Sequence, residues 1–411
     1  MRFNPANEGM EPNIGGMVAR ISRIKTLDPH MASTNMNESS RNGYAPFDRC
    51  YEFLELWAFS RKTLCSDPRD KVYAMASLAN RDIYMTANTM ENRRPLSPDY
   101  SKSVSEAYCD MAWFTLLTQA DLSVLSMVGY IPDGNKYNLP SWVPDLSYAT
   151  RMEALNFVLR TRPGLGWLAA GDARWELPPP ALLYQRRLSV KAIFVSKIRV
   201  IDHAEPSMKD GEPFKFDYKQ ALEFAENLPS SYYYGGQTQF EVLWRTVIAD
   251  MAGGDSPAPS RYATEFEKCY LQALREASDD FGVRNAKDFD FLLSLSAMWD
   301  LGRLKDDDLS ASMEYMHINT NATVEFRNRL MSTMANRRLF IAESGHAGCG
   351  DTNLCIGDWV VVLAGSNIPF ILRNEGGDGM YRVIGEAYVH GIMYGEAAAK
   401  HDVQWKPITL E

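Results

Sequence analysis

The 411-residue chain has no excess of basic residues, no close pair of cysteines, few histidines and no long apolar run. Each of these lacks excludes something. With 43 Lys and Arg against 52 Asp and Glu, the net charge is −9. Broad binding to nucleic acid or to an anionic membrane needs a basic face, so neither partner is expected. The basic pairs are short: Arg93-Arg94, Arg186-Arg187 and Arg337-Arg338. Six cysteines (Cys50, Cys65, Cys109, Cys269, Cys349 and Cys355) never fall at C-x-x-C spacing. In a chain of this length they read as reduced, mostly buried thiols of a cytoplasmic protein. No run of about 18 apolar residues occurs, so no transmembrane helix is expected. The opening residues MRFNPANEGMEPNIGG lack an apolar h-region, and no secretory signal is expected. There is no G-x-S-x-G elbow, no phosphate-binding G-x-x-x-x-G-K-[ST] loop and no G-x-G-x-x-G after a strand. No cofactor is therefore expected.

What is present is ordinary globular material, 45% apolar and 23% charged. A chain this long buries about 75% of the surface it exposes unfolded, and its length suggests two or three domains. Residues 1–45 are polar, without helical or strand period, and read as a flexible leader. Residues 46–160 read as a helical region. A helix over Pro46 to Thr63 stops before SDPRDKVYAM, where Asp67 is a candidate N-cap, Pro68 the first helical residue and Asp70 the residue that reaches back. Ser103 and Glu106 form a second capping box ahead of a stripe containing Val104, Ala107, Tyr108, Met111, Ala112 and Leu116. In LPSWVPDLS two prolines bracket Ser141, Trp142 and Val143, which predicts an extended segment with Trp142 as a core anchor.

The period then changes. Gly164 to Gly171 and Leu188 to Ile201 read as strands, with the triple proline Pro178–Pro180 between them as a stiff spacer. Residues 202–335 read as a helical insertion, with helices at Phe216–Leu228, Phe240–Ala252, Tyr262–Ala277, Asp288–Trp299 and Leu309–Met334. Strands resume at Arg338–Glu343. The stretch Gly357 to Ala397, three apolar runs with two turn-rich breaks, reads as an antiparallel meander. The resulting expectation is an α+β fold. An α-rich N-terminal region packs on a small antiparallel β-barrel or meander unit (161–201 plus 336–397), with the helical insertion inside it and a C-terminal tail at 398–411.

Three separated motifs carry a resemblance. They are SDPRDKVYAM followed by PDYSKSVSEAY, LPSWVPDLS, and RRLFIAESGHAGCG with GDWVVVLAGSNIPFILR and YRVIGEAYVHGIMYGEA. Together, in this order, they resemble the region C-terminal to the HET module in fungal heterokaryon-incompatibility proteins. The residues of these motifs include Asp67, Pro68, Arg69, Asp70, Trp142, Pro144, Asp145, Gly357, Asp358, Gly395 and Glu396. The Tyr-aromatic-Trp-Gly type signature of the HET module is not found before Cys65, so the chain is expected to be the downstream half of such a protein, lacking its effector module. No residue of that module's site carries over. The resemblance implies a non-enzymatic regulatory or recognition role in non-self recognition or programmed cell death. A protein partner is compatible with that role, and the oligomeric state stays open.

The alternative is an enzyme of unrecognised type acting on a small molecule between the β unit and the insertion. Its first candidates are His390, Glu386, Arg373 and Trp142: His390 ends a strand near Glu386 and Glu396, which would suit acid–base work. A structural histidine is the plainer expectation, as is an Arg373–Glu386 ion pair across the meander. His346, Cys349 and Cys355 are a zinc-like ligand set, but C-x5-C is not a usual knuckle, and a Gly-rich hairpin with a buried cysteine explains them. Ser344-Gly345 and Gly348–Gly350 offer N–H groups to an anion, or more simply supply positive φ in a turn.

Overall fold

The computed structural model describes residues 2–3, 51–61, 63–78, 96–129, 131, 134–148, 154–155, 167–202, 215–230, 236–252, 256–281, 321–376, 379–400 and 403–411. Among them the helices are α1 (Tyr51–Ser60), α2 (Asp70–Leu78), α3 (Val104–Gln119), α4 (Tyr218–Ala225), α5 (Gln239–Val247), α6 (Tyr262–Phe281) and α7 (Asn321–Met334). A two-residue pair, β1 (Arg2–Phe3) and β2 (Thr63–Leu64), stands apart from the main sheet of β3 (Leu188–Ile201), β4 (Arg337–Ala342), β5 (Ala347–Asp351), β6 (Trp359–Leu363), β7 (Phe370–Asn374), β8 (Met380–Val389) and β9 (Lys406–Leu410). The fold is α+β. The leader expected over 1–45, Arg2 and Phe3 excepted, and the helix expected at Asp288–Trp299 lie outside the described residues.

β3 is the hub. Rich in β-branched residues, it is long enough to serve three neighbours in succession. Its first part pairs β9 (Leu188↔Leu410), its middle β6 (Ile193↔Val362) and its end β4 (Ile201↔Phe340). From β4 the ladder passes through β5, β8 and β7 back to β6, so six strands close a ring. At the other end β9 bridges β3 and the start of β8, and five strands suffice. Closure leaves few unpaired strand edges. Register shifts between Phe194 and Ser196, between Ile198 and Val200, and between Ile371 and Leu372 supply the bends that closure needs.

Side chains alternate between two apolar clusters. Phe340, Val360, Val362, Ile371, Ala387 and Val389 fill the interior. Leu339, Ile341, Val361, Leu363, Phe370 and Tyr388 belong to the larger core shared with the helices. The insertion packs on the outer wall through α5: Cys349 Sγ lies 3.8 Å from the Thr246 carbonyl oxygen.

Four expectations are corrected. The run Trp167 to Gly171 is not a strand but a turn laid across the barrel end: Leu168, Ala169 and Ala170 donate their N–H groups to the carbonyls of Met393, Asn367 and Ser366. Residues 398–411 are not a tail. They contain β9, whose Pro407 interrupts the strand signal. Thr409 N–H reaches Gly379, so Pro407, of the same parity, sets its hydrogen-less nitrogen on the side where β8 has not yet begun. The segment Pro140–Val143 closes a turn (Val143 N to Pro140 O, 3.0 Å) rather than running extended. Of the glycines after Ser344, Gly345 has φ +87, but Gly348 lies in strand β5, under the Phe340 ring, and Gly350 follows it in the same strand.

The α3 start forms as expected. Glu106 N–H is 3.2 Å from Ser103 Oγ, and the Glu106 carboxylate accepts from Ser103 N at 2.7 Å. Ser103→Ala is expected to lower stability by about 1 kcal/mol. Urea unfolding would measure it, and an unchanged midpoint would show that the box does not hold in solution.

Candidate functional site

The N-terminal motifs meet in one knot. Arg69 donates to Asp67 through Nε (2.9 Å) and Nη2 (2.7 Å), and to the carbonyls of Tyr100 (2.7 Å) and Lys102 (2.6 Å). These side-chain bonds hold the Asp67 carboxyl below its usual range. Asp67 Oδ1 also accepts from Arg69 N, whereas Asp70 takes the Tyr100 hydroxyl at 2.6 Å and does not reach back. The expected capping box is thus a turn capped by Asp67, with α2 beginning at Asp70 after the i→i−3 bonds Asp70 N to Asp67 O and Lys71 N to Pro68 O. Tyr108 Oη bonds the Pro68 carbonyl at 3.1 Å.

Sequence reading missed two buried cations here. Lys71 donates to the carbonyls of Ser60 and Thr63, each at 2.8 Å, and burial lowers its pKa. Arg61 reaches the Met127 carbonyl and lies near buried Asp145; burial lowers it to about 10. Asp145 Oδ1 accepts Ser147 N at 2.7 Å, and Pro144 is buried beside it. Trp142 is fully buried, edge-on to Trp113 at 5.5 Å, with Nε1 2.8 Å from the Arg186 carbonyl. This is the anchor its sequence setting predicted.

On the barrel wall the expected Arg373–Glu386 pair does not form. Arg373 stands opposite Arg382, and Glu386 opposite Phe370, so the two lie well apart along the ladder. Arg373 grips Asp358 (2.8 and 2.9 Å) and the Asn353 carbonyl (2.8 Å). Gly357, at φ +91, makes the turn that presents Asp358. Glu386 instead pairs with Arg337 at 2.7 Å, both side chains 0% exposed. Its Oε1 also accepts Leu155 N at 2.6 Å, and Arg337 Nη1 bonds the Thr333 carbonyl at 2.8 Å. Burial raises the Glu386 pKa against the pull of Arg337. The signal for Arg337 was there: Arg337, Leu339 and Ile341 share one face of β4, so a charge stands in a core row.

At the barrel end, His390 Nδ1 lies 2.8 Å from the Tyr388 hydroxyl and Nε2 2.7 Å from Gln237 Oε1. A neutral imidazole satisfies both, accepting from the phenol and donating to the amide oxygen. Burial, with Arg245 and His346 nearby, lowers its pKa to about 3. His346, bonded through Nδ1 to Ser344 Oγ (2.8 Å), is lowered by burial to about 4. The folded chain therefore binds fewer protons here than the unfolded chain below an ordinary value of about 6.5, and stability falls as pH drops through that window. Melting temperature should decline from about pH 6.5 towards 4, with a shallower slope in His390→Gln. Parallel profiles for the two proteins would overturn the assignment. Glu396 does not join His390; its carboxylate accepts Tyr394 N at 2.8 Å, beside the Gly395 turn at φ +93.

His346, Cys349 and Cys355 do not assemble. Burial pushes the Cys349 thiol up to about 12, and Cys355 is exposed on the β5–β6 loop. Among the described residues no group of three His, Cys, Asp or Glu is placed to hold a metal.

Residues 220–404 match the family described as the Het-6 beta-barrel domain. Over 376 residues the chain is 23% identical to heterokaryon incompatibility protein 6, OR allele, of Neurospora crassa, covering 84% of this chain and 51% of the relative. The chain is thus similar to the fungal heterokaryon-incompatibility proteins. The chain spans about half the length of the curated relative it matches. No solved structure matches it. The matched stretch holds β4 to β8, while β3 and β9, which complete the ring, lie outside it. The N-terminal knot also lies outside that domain, and it serves to hold SDPRDKVYAM against PDYSKSVSEAY.

Proposed function

We propose that this chain acts as a non-enzymatic recognition or regulatory module in fungal non-self recognition, with programmed cell death as the outcome it controls, and that it does so in the cytoplasm. The likeness to heterokaryon incompatibility protein 6 supports the recognition role, and the state of the candidate catalytic groups supports its non-enzymatic part. His390 has both ring nitrogens bonded, Glu386 is sealed against Arg337, and Arg373 is held on Asp358. Each is engaged in building the barrel wall. No helix among the described residues is long and apolar enough to cross a membrane, which is compatible with this placement.

Expressed in fungal strains of differing background, the protein is expected to lower recovery of viable heterokaryons with some partners and leave others unaffected. The purified chain is expected to leave NAD intact. Equal recovery with every partner would overturn the recognition role. Steady NAD hydrolysis, lost in His390→Ala without a change in melting temperature, would establish an enzyme in its place.

A further inference from the structure

The triple proline is left unexplained by both the barrel and the family match. It lies between two buried anchors, Trp175 (7% exposed) and Leu183 (8%), and Glu176 meets Lys191 in a solvated pair. Leu177, Pro178 and Pro179 each precede a proline, which disfavours helical backbone, and proline fixes φ. Pro179 accordingly sits at φ −53, ψ 149, in the polyproline II region. That helix repeats every three residues. The burial follows the repeat up to Pro179: Trp175 and Pro178 are buried, Glu176 with Pro179 forms one outward row, and Leu177 stands outward beside it, before Pro180 opens a short 3-10 turn. Leu177 is 60% exposed, and Leu182, on the short turn that follows, 41%.

A spacer explains the prolines but not the two leucines in water. Beside the arm lies a cleft of about 220 Å³ lined by Pro178, Leu182, Gln185, Arg187, Ser189 and Thr409. The Arg187 side chain is 62% exposed and meets Glu411 at 3.8 Å, too solvated a pair to hold it.

We propose that this arm is a preformed polyproline II ligand for a partner domain whose groove is lined by aromatic side chains and flanked by an acidic residue that pairs with Arg187. The backbone is already ordered by its two anchors, so docking costs little conformational entropy. The Glu176–Pro179 row and the Leu177 side chain are the ridges such a groove accepts, with the buried row as the base. Arg187 supplies a positive point on a chain of net charge −9, which selects for an acidic flank.

The test titrates the full chain against purified SH3, WW and EVH1 domains from a fungal genome. At least one is expected to bind, about tenfold or more weakly with a Pro179→Ala/Pro180→Ala variant or with Leu177→Asp, and with reduced salt sensitivity in Arg187→Glu. Leu177→Asp keeps the prolines and decides the matter if the double variant melts early. Ile356→Ala, on an exposed loop, should bind as wild type. No binding by any of these domains, or equal binding by the arm variants, overturns the proposal. It is independent of the incompatibility role: arm variants that lose binding yet keep heterokaryon selection separate the two.

Discussion

Glu386→Ala is expected to lose roughly 3–5 kcal/mol of stability, because it leaves Arg337 charged with its carboxylate partner gone. The site magnifies the loss. Both side chains are 0% exposed, and the carboxylate also holds Leu155 N at 2.6 Å with the Ser126 hydroxyl beside it. Four parts of the chain therefore meet at one oxygen pair: β4, β8, the turn after α3 and the short stretch at Leu155. The pair itself is no strong source of net stability, since its desolvation offsets most of the attraction. Hence Arg337→Met/Glu386→Leu should recover most of what the single change loses. Urea unfolding of the two variants tests this. A Glu386→Ala protein within about 1 kcal/mol of wild type would show that water reaches the pair in solution.

Gly348→Ala is the second large effect, expected to reach or exceed the roughly 3 kcal/mol upper end of ordinary overpacking. An added Cβ would lie 2.4 Å from Phe340 Cζ and 2.6 Å from the Tyr388 carbonyl oxygen. The ring fills the barrel interior and is fully buried, and the carbonyl belongs to the neighbouring strand, so neither gives way. Gly350→Ala makes the contrast. Its nearest neighbour is the flexible end of Leu354 at 3.2 Å, and the loss should be small. Phe340→Leu in the Gly348→Ala background should restore part of the stability, not all, because the backbone contact remains. Equal thermal midpoints for the two glycine variants would remove the argument for a filled interior.

How much of this was legible depended on whether the signal was local. The bounds of β3, the β6–β7–β8 meander and the α3 capping box follow from alternation, turn residues and side-chain caps within a few positions. β9 was not legible: its partners on β3 are far away in sequence, and Pro407 suppresses the strand pattern. Glycines in a strand read as a turn until Phe340 supplies the steric reason. For the site, the sequence marked Glu386 and His390 as charged or titratable groups in an apolar run but misassigned Glu386's partner. Facing relations across a ladder depend on register, which sets Glu386 opposite Phe370 and Arg373 opposite Arg382. Gln237, which accepts from His390, comes from the insertion, where no spacing rule connects it to β8.

The β3–β4 pairing bears on how fast the chain folds. The hairpins β4–β5 and β6–β7–β8 close over short turns, but Ile201 meets Phe340 only after the whole insertion has been looped out. The entropy of closing so long a loop grows only logarithmically, so equilibrium stability tolerates the insertion well. Rate does not share that tolerance, because non-local strand pairing is slow. The ring is thus expected to be sealed last, on preassembled hairpins, and changes confined to the β3–β4 seam should slow folding less than they hasten unfolding.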